Sequence, residues 1–148
     1  MKLKRPFTIL VVDDETPTYE LLVRVAEKQF PEAQLVNAHS IEEASEYLNN
    51  PLNKWPNLVL LDIDLRQTLT GLDFLPQLRH VLDKKVPIVI LAALAEEPNV
   101  KRAYENGAAA YTRKPDDLQG WHDYVARLKA YWYDTNSAPF SPEIYEEN

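Results

Sequence analysis

The chain has 148 residues, 45% hydrophobic and 26% charged, the make-up of an ordinary soluble globular domain and a length that suits one domain better than two. Sixteen Lys and Arg against 23 Asp and Glu leave a formal charge of -7, which argues against a phosphate backbone or an anionic membrane surface as partner. Cysteine is absent, so disulfides, thiolate metal sites and cysteine nucleophiles are excluded; with no apolar stretch near the length of a membrane span and no apolar segment behind the basic N-terminus, the expected location is the cytoplasm.

The first apolar run, Phe7 to Val12, is unbroken and suits a strand covered on both faces. A helix follows in which Tyr19, Leu22, Val23, Ala26 and Phe30 share a face. Gln34 to Ala38 is a weaker run. The next helix places Ile41, Ala44 and Leu48 on one side, with Ser40 and Glu43 spaced as a capping box. Asn49 to Pro56 is a loop, and Asn57 to Leu61 is again apolar throughout.

The third helix is expected to begin near Asp73, with Leu75, Leu78 and Leu82 inward and Pro76 in the first turn, where a missing amide costs nothing. Pro87 to Leu91 is the fourth strand-like run, and a short helix from about Pro98 stops at Asn106-Gly107. Ala108 to Thr112 is the last run. The fifth helix, from about Asp116 to Tyr133, carries Leu118, Trp121, Val125, Leu128 and Trp132 at alternating steps of 3 and 4.

Five strands alternating with five helices imply right-handed crossovers and an α/β, doubly wound, five-stranded parallel sheet. Ligands of such sheets gather outside the carboxyl ends of the strands. The residues at those ends therefore carry the functional question.

The first strand ends in Asp13-Asp14-Glu15 and the third in Asp62-Ile63-Asp64. Clustered acids repel one another, which a hard cation such as Mg2+ relieves. They equally suit a helix N-terminus or a turn. A strand-end carboxylate can also attack phosphorus and form an acyl phosphate. The fourth strand ends in Ala92-Ala93, and the fifth runs through Tyr111-Thr112-Arg113 into Lys114-Pro115. A lysine beside the acids would offset their charge and bind a phosphoryl group.

In this order the motifs Val11-Val12-Asp13-Asp14, Leu60-Leu61-Asp62, Gly71-Leu72 and Tyr111-Thr112-Arg113-Lys114-Pro115 resemble the receiver domain of two-component response regulators, of flavodoxin-like fold, over about Phe7 to Tyr133. The resemblance implies that Asp62 is the phospho-acceptor. It implies Mg2+ held by Asp14 directly, by Asp13 through water, by Asp62 and by the backbone carbonyl of Asp64. Lys114 and the amide of Ala93 would contact the phosphoryl group, a cis Lys114-Pro115 bond would turn Lys114 inward, and Tyr111 would be the aromatic whose rotamer reports activation. The implied partner is a sensor histidine kinase or a phosphotransfer protein, and the chain would be no enzyme beyond its own phosphorylation and dephosphorylation.

Three positions depart from the family. Ala92 stands at the switch Ser/Thr position, and a methyl group donates no hydrogen bond. Asp62 and Gly71 are nine residues apart where eight is usual, so a reshaped loop is expected over Arg66 to Thr70. Leu94 replaces a commonly polar residue that positions hydrolytic water, from which a long-lived acyl phosphate follows. In the fifth helix Tyr124 and Tyr131 form a second line beside the core stripe, either its flank or a homodimer or target-protein face with the fourth helix. His39, His80 and His122 show no ligand spacing.

Residues 1–133 are thus expected to form the receiver. Residues 134–148, with Asp134, Glu143, Glu146 and Glu147 and no Lys or Arg, read as an acidic flexible tail. The leading expectation is a stand-alone receiver signalling through a partner protein. A pseudo-receiver, working as a phosphorylation-independent interaction module, draws on Ala92. A third alternative arises because Asp62-Ile63-Asp64 resembles the nucleophile motif of haloacid-dehalogenase-like phosphatases, although that motif normally follows the first core strand and precedes more chain than the 84 residues left here.

Overall fold

A computed structural model describes residues 5–14, 16–63, 71–82 and 85–135. Its elements alternate: β1 (Phe7–Val12), α1 (Thr16–Gln29), β2 (Ala33–Ala38), α2 (Ile41–Asn49), β3 (Leu58–Asp62), α3 (Gly71–Leu82), β4 (Ile88–Ala92), α4 (Glu97–Glu105), β5 (Ala110–Arg113) and α5 (Leu118–Leu128), which continues as a π-helical turn over Lys129–Asp134. All four strand pairings are parallel, in the order β2-β1-β3-β4-β5. The expected five-stranded doubly wound sheet is present.

The three central strands are buried at every position, which is why their sequences are apolar without alternation. Alternate residues face opposite layers. Leu10, Val12, Val59, Leu61, Ile88 and Ile90 join one core with α2 and α3, whereas Ile9, Val11, Leu58, Leu60, Val89 and Leu91 join the other with α1 and α5. The edge strands β2 and β5 are mostly half-buried, which accounts for the weaker run at Gln34 to Ala38.

Local chemistry sets the helix ends. Ser40 Oγ accepts from the Glu43 amide at 3.1 Å, but Glu43 returns its bond to the His39 amide at 2.8 Å rather than to Ser40. Asp117 caps α5 by accepting from the Gly120 amide at 2.7 Å. Gly107, at φ +103°, ends α4 in the left-handed region that favours glycine. A Cβ there would lie 2.7 Å from Arg79 Cδ, and Arg79 donates to the Val86 and Gly107 carbonyls, tying α3 to the turns flanking β4 and β5.

Four expectations need correction. Val25, not Val23, is buried on α1, because the stripe through Leu22 follows steps of three and four to Val25 and Ala26. Pro76 lies inside α3, past the first turn, so it removes one intrahelical bond. Leu118 is 57% exposed, since it opens α5 before the helix meets the sheet. Tyr133 rather than Trp132 closes the α5 stripe in the core, because the π-helical turn moves the inward position from i+4 to i+5 after Leu128. No helix among the described residues is long and apolar enough to cross a membrane.

Candidate functional site

Three strands deliver their last residues to one edge of the sheet. Val12 pairs with Leu61, so Asp13 and Asp62 follow at neighbouring strand ends, and neighbouring strands lie about 4.8 Å apart. Asp62 pairs with Leu91, and Ala92 with Arg113, which sets Lys114 one residue past the edge beyond β4. The Lys114 amide donates to the Ala92 carbonyl at 2.7 Å. Its ammonium reaches back across β4 to Asp62 Oδ2 at 2.8 Å.

The acids are held firmly. The Asp13 amide donates to the Ala38 carbonyl at 2.9 Å, carrying the β1–β2 ladder one residue further. Asn37 Nδ2 donates to the Val11 carbonyl at 3.0 Å and the Asp13 carbonyl at 3.4 Å, strapping the end of β1. Sequence reasoning does not single out Asn37; its signal is an amide next to the end of a largely apolar edge run that also holds Gln34.

Asp13 is 0% and Asp62 2% exposed, and the Lys114 side chain 17%. Burying a carboxylate is costly unless a cation or hydrogen bonds meet it. Asp13, Asp62 and the half-buried Asp14 gather hard oxygen donors beside the Lys114 ammonium. That donor set fits Mg2+ or Mn2+, which take one or two carboxylates and complete their shell with water and carbonyls. Among the described residues no three His, Cys, Asp or Glu side chains converge as a ready-made metal cluster. The predicted ligand Asp64, Glu15 and the loop Arg66 to Thr70 lie outside the described residues.

The bond before Pro115 is trans, since no described peptide is cis; this corrects the expected cis-proline. For an X–Pro bond trans is favoured by roughly 0.5–1 kcal/mol, and the amide bond to Ala92 already turns Lys114 inward. Ala92 is 1% exposed, with its methyl in the α2/α3 core. Tyr111 packs against the same core, donates from its hydroxyl to the Leu94 carbonyl at 3.1 Å and from its amide to the Tyr104 hydroxyl at 3.2 Å. Leu94 itself is 62% exposed and Ala93 is exposed beside it.

Tyr124 belongs to the flank of the core stripe. Its hydroxyl meets Thr112 Oγ1 at 2.8 Å, and burial pushes its pKa up to about 12 against the partial relief of that bond. His39 contacts Glu43 at 3.0 Å, His122 Nδ1 meets Gln29 Nε2 at 3.1 Å, and His80 is exposed on α3.

Comparison with known proteins agrees with this arrangement. The model of the response regulator receiver domain matches residues 9–126. The phosphate regulon transcriptional regulatory protein PhoB of Klebsiella pneumoniae is 38% identical over 123 residues, 82% of this chain but 50% of PhoB. The chain thus spans about half the length of the PhoB relatives it matches. Response regulator Rcp1 of Synechocystis is 26% identical over 142 residues, covering 90% of this chain and 94% of Rcp1. The structure of the Mn2+-bound form of Rcp1 superposes with a TM-score of 0.77 at 24% identity, over 91% of this chain and 100% of that one.

The chain belongs to the response regulator receiver domain family. Receiver domains are signalling modules that bind a divalent metal, generally not enzymes, and they interact with kinases and effectors. The phosphatase alternative gives way, because its Asp62-Ile63-Asp64 motif lies within the receiver match and Asp62 closes the third strand of the sheet rather than the first.

Proposed function

We propose that the chain accepts a phosphoryl group on Asp62 from a phosphohistidine of a sensor histidine kinase or phosphotransfer protein, and signals that state to a partner protein. The observation that carries the reading is the buried Asp62–Lys114 pair at 2.8 Å beside Asp13. A carboxylate oxygen of Asp62 forms the new O–P bond as the P–N bond to the donor imidazole breaks, and the imidazole leaves with the electron pair. No general base is required, since an ordinary carboxylate is ionised at neutral pH.

Lys114 holds Oδ2 of Asp62 and brings a positive charge to the place where phosphoryl oxygens arrive. A divalent cation, Mg2+ by preference and supported by the Mn2+-bound relative, would be held by Asp13, Asp14, Asp62 and the Asp64 carbonyl and would supply Lewis-acid charge opposite those oxygens. Asn37 keeps Asp13 in register for that role. Water attack on the acyl phosphate restores the carboxylate.

The test is incubation of the full chain with Mg2+ and acetyl phosphate, read by intact mass. A single phosphate adduct that is absent in Asp62→Asn supports the reading, and no adduct at millimolar Mg2+ overturns it. One observation favours a second reading, an interaction module independent of phosphorylation: at Ala92 a buried methyl replaces the hydroxyl that would link the phosphoryl group to Tyr111. Partner binding unchanged between wild type and Asp62→Asn would select that module.

A further inference from the structure

Among the described residues four large apolar side chains are exposed, and two of them, Leu52 at 91% and Trp55 at 48%, stand in the short connection between α2 and β3. Single apolar residues on a surface are ordinary; here a fixed backbone presents the pair. The Asn50 carbonyl accepts from the Asn53 amide at 3.0 Å, and Asn50 Oδ1 from the Leu52 amide at 2.9 Å. Pro51 presets the second position of that turn, which puts Leu52 at its tip. Asn53 Nδ2 donates to the Tyr47 carbonyl at 3.1 Å, and the Tyr47 hydroxyl to the Lys54 carbonyl at 2.6 Å, so α2 grips the loop on one side. On the other, Asn57 exchanges two bonds of 2.8 Å with Thr8 in β1. Small or polar residues satisfy the tip of such a turn, so Leu52 adds nothing to the fold. A side chain presented on a fixed backbone loses little freedom on meeting a partner.

The loop lies at the opposite end of the sheet from the strand-end acids. Asn57 is five residues before Asp62, roughly 16 Å along a strand, about twice the screening length at physiological ionic strength. The overall charge of -7 therefore does not set the field here. Lys54 is exposed, is the only charged residue of 50–57, and takes part in no ion pair among the described residues. The exposed Arg5 and Lys85 precede β1 and β4 at the same end, and Glu32, which precedes β2, is taken up by Lys129 at 3.3 Å. Two apolar anchors, one of them aromatic, beside an uncompensated ammonium suit an occupant that is both apolar and acidic.

We propose that the loop 50–57 is a docking knob for an acidic protein segment, which packs apolar side chains on Leu52 and Trp55 and sets a carboxylate against Lys54. In a symmetric dimer built on this loop Lys54 meets its own copy, which disfavours a second chain as the occupant. A segment bound here leaves the Asp62 edge open, so one protein can hold the chain while another meets Asp62. The inference does not depend on phosphorylation at Asp62.

The test is titration of the full, isotope-labelled chain with a synthetic peptide of alternating Leu and Glu, followed by amide shifts. The expected result is saturable movement of the Leu52, Asn53, Lys54 and Trp55 amides, with those of Asp13, Asp62 and Lys114 unmoved. A peptide of alternating Leu and Lys should bind about tenfold more weakly, because it brings ammonium groups against Lys54. Leu52→Asn combined with Trp55→Ser should weaken the acidic peptide by about tenfold, as loss of anchors does. Lys54→Gln, which keeps both anchors, should weaken it by about threefold. The changed side chains make none of the loop's hydrogen bonds, so the turn stays in place. No movement of the loop amides at millimolar peptide, equal binding of the two peptides, or movement centred on the strand-end acids would each overturn the knob. So would movement of the same amides with chain concentration alone, which gives the loop to a second copy, or with phosphatidylcholine vesicles, which gives it to a lipid surface.

Discussion

Lys114 decides how much negative charge the strand-end carboxylates present, because its ammonium sits on Asp62 Oδ2 at 2.8 Å in a place shielded from solvent. Lys114→Met should therefore slow phosphorylation by acetyl phosphate by about tenfold or more, as loss of a charge on the transferring group does. The same change should tighten Mg2+ binding by removing a competing positive charge, and calorimetric titration reads that sign. Leu94 exposes its side chain while its carbonyl is held by Tyr111. Leu94→Glu should therefore leave the loop in place and shorten the lifetime of the phosphorylated protein, measured as the decay of the intact-mass adduct; an unchanged lifetime removes Leu94 from the account. Asp13, Asp62 and Lys114 were legible because acids and a lysine directly after apolar runs stand at strand ends whatever the helices do. The trans bond before Pro115 was not, because proline type alone leaves both isomers within reach.

At the scale of elements, the turn after α5 shows how backbone geometry selects a side chain. Tyr133 lies in ring contact with Phe7 and Phe30, at centroid distances of 5.7 and 5.4 Å. Arg5 stacks on it at 4.3 Å and donates to its carbonyl at 2.8 Å. The two ends of the described fold are joined through this residue. Tyr133→Ala should cost about 3 kcal/mol by urea unfolding, in the range for a buried aromatic, while Tyr133→Phe should cost about 1 kcal/mol for the lost hydroxyl bond to Arg5. An α-helical period places Trp132 inward instead, and nothing in the sequence announces the extra residue of a π turn. The start of α2, by contrast, was readable from Ser40 and Glu43, and only the return bond to His39 was not. Hydrogen bonds from the His39 amide and ring hold the Glu43 carboxyl below its ordinary 4.5. A carboxyl depressed in the fold stabilises above its unfolded value and loses that contribution as pH falls through the folded one. Amide protection at the start of α2 should accordingly weaken below pH 4.5, and Glu43→Gln should flatten the dependence.

Across the whole molecule, β5 and α5 close one face of the sheet through Thr112, whose hydroxyl donates to the Ile90 carbonyl at 2.6 Å and meets Tyr124. Tyr124 has its pKa raised from 10.0 to about 12 by burial. A group raised in the fold stabilises fully below its unfolded value, and here that contribution fades as pH climbs from 10.0 through about 12. Ultraviolet titration should find a tyrosine ionising near pH 12, well beyond the ordinary 10.0, and Tyr124→Phe should remove that step. Binding of a divalent cation to the strand-end acids adds stability by mass action. Mg2+ at about a hundred times its dissociation constant should raise stability by about 3 kcal/mol, and chelation should reverse the rise in Tm.

Unbroken apolar runs, helical periods between them and acids or a lysine at the run ends were local properties, so the sequence by itself determined the α/β sheet, the order of its elements and the candidates Asp13, Asp62 and Lys114. What only the tertiary structure decided depends on through-space register. The pairing of Val12 with Leu61 and of Ala92 with Arg113 sets Lys114 on Asp62 and assigns Asn37 to the end of β1. Those contacts join residues far apart in the chain, and their partners are chosen by packing across the sheet rather than by any neighbour in sequence.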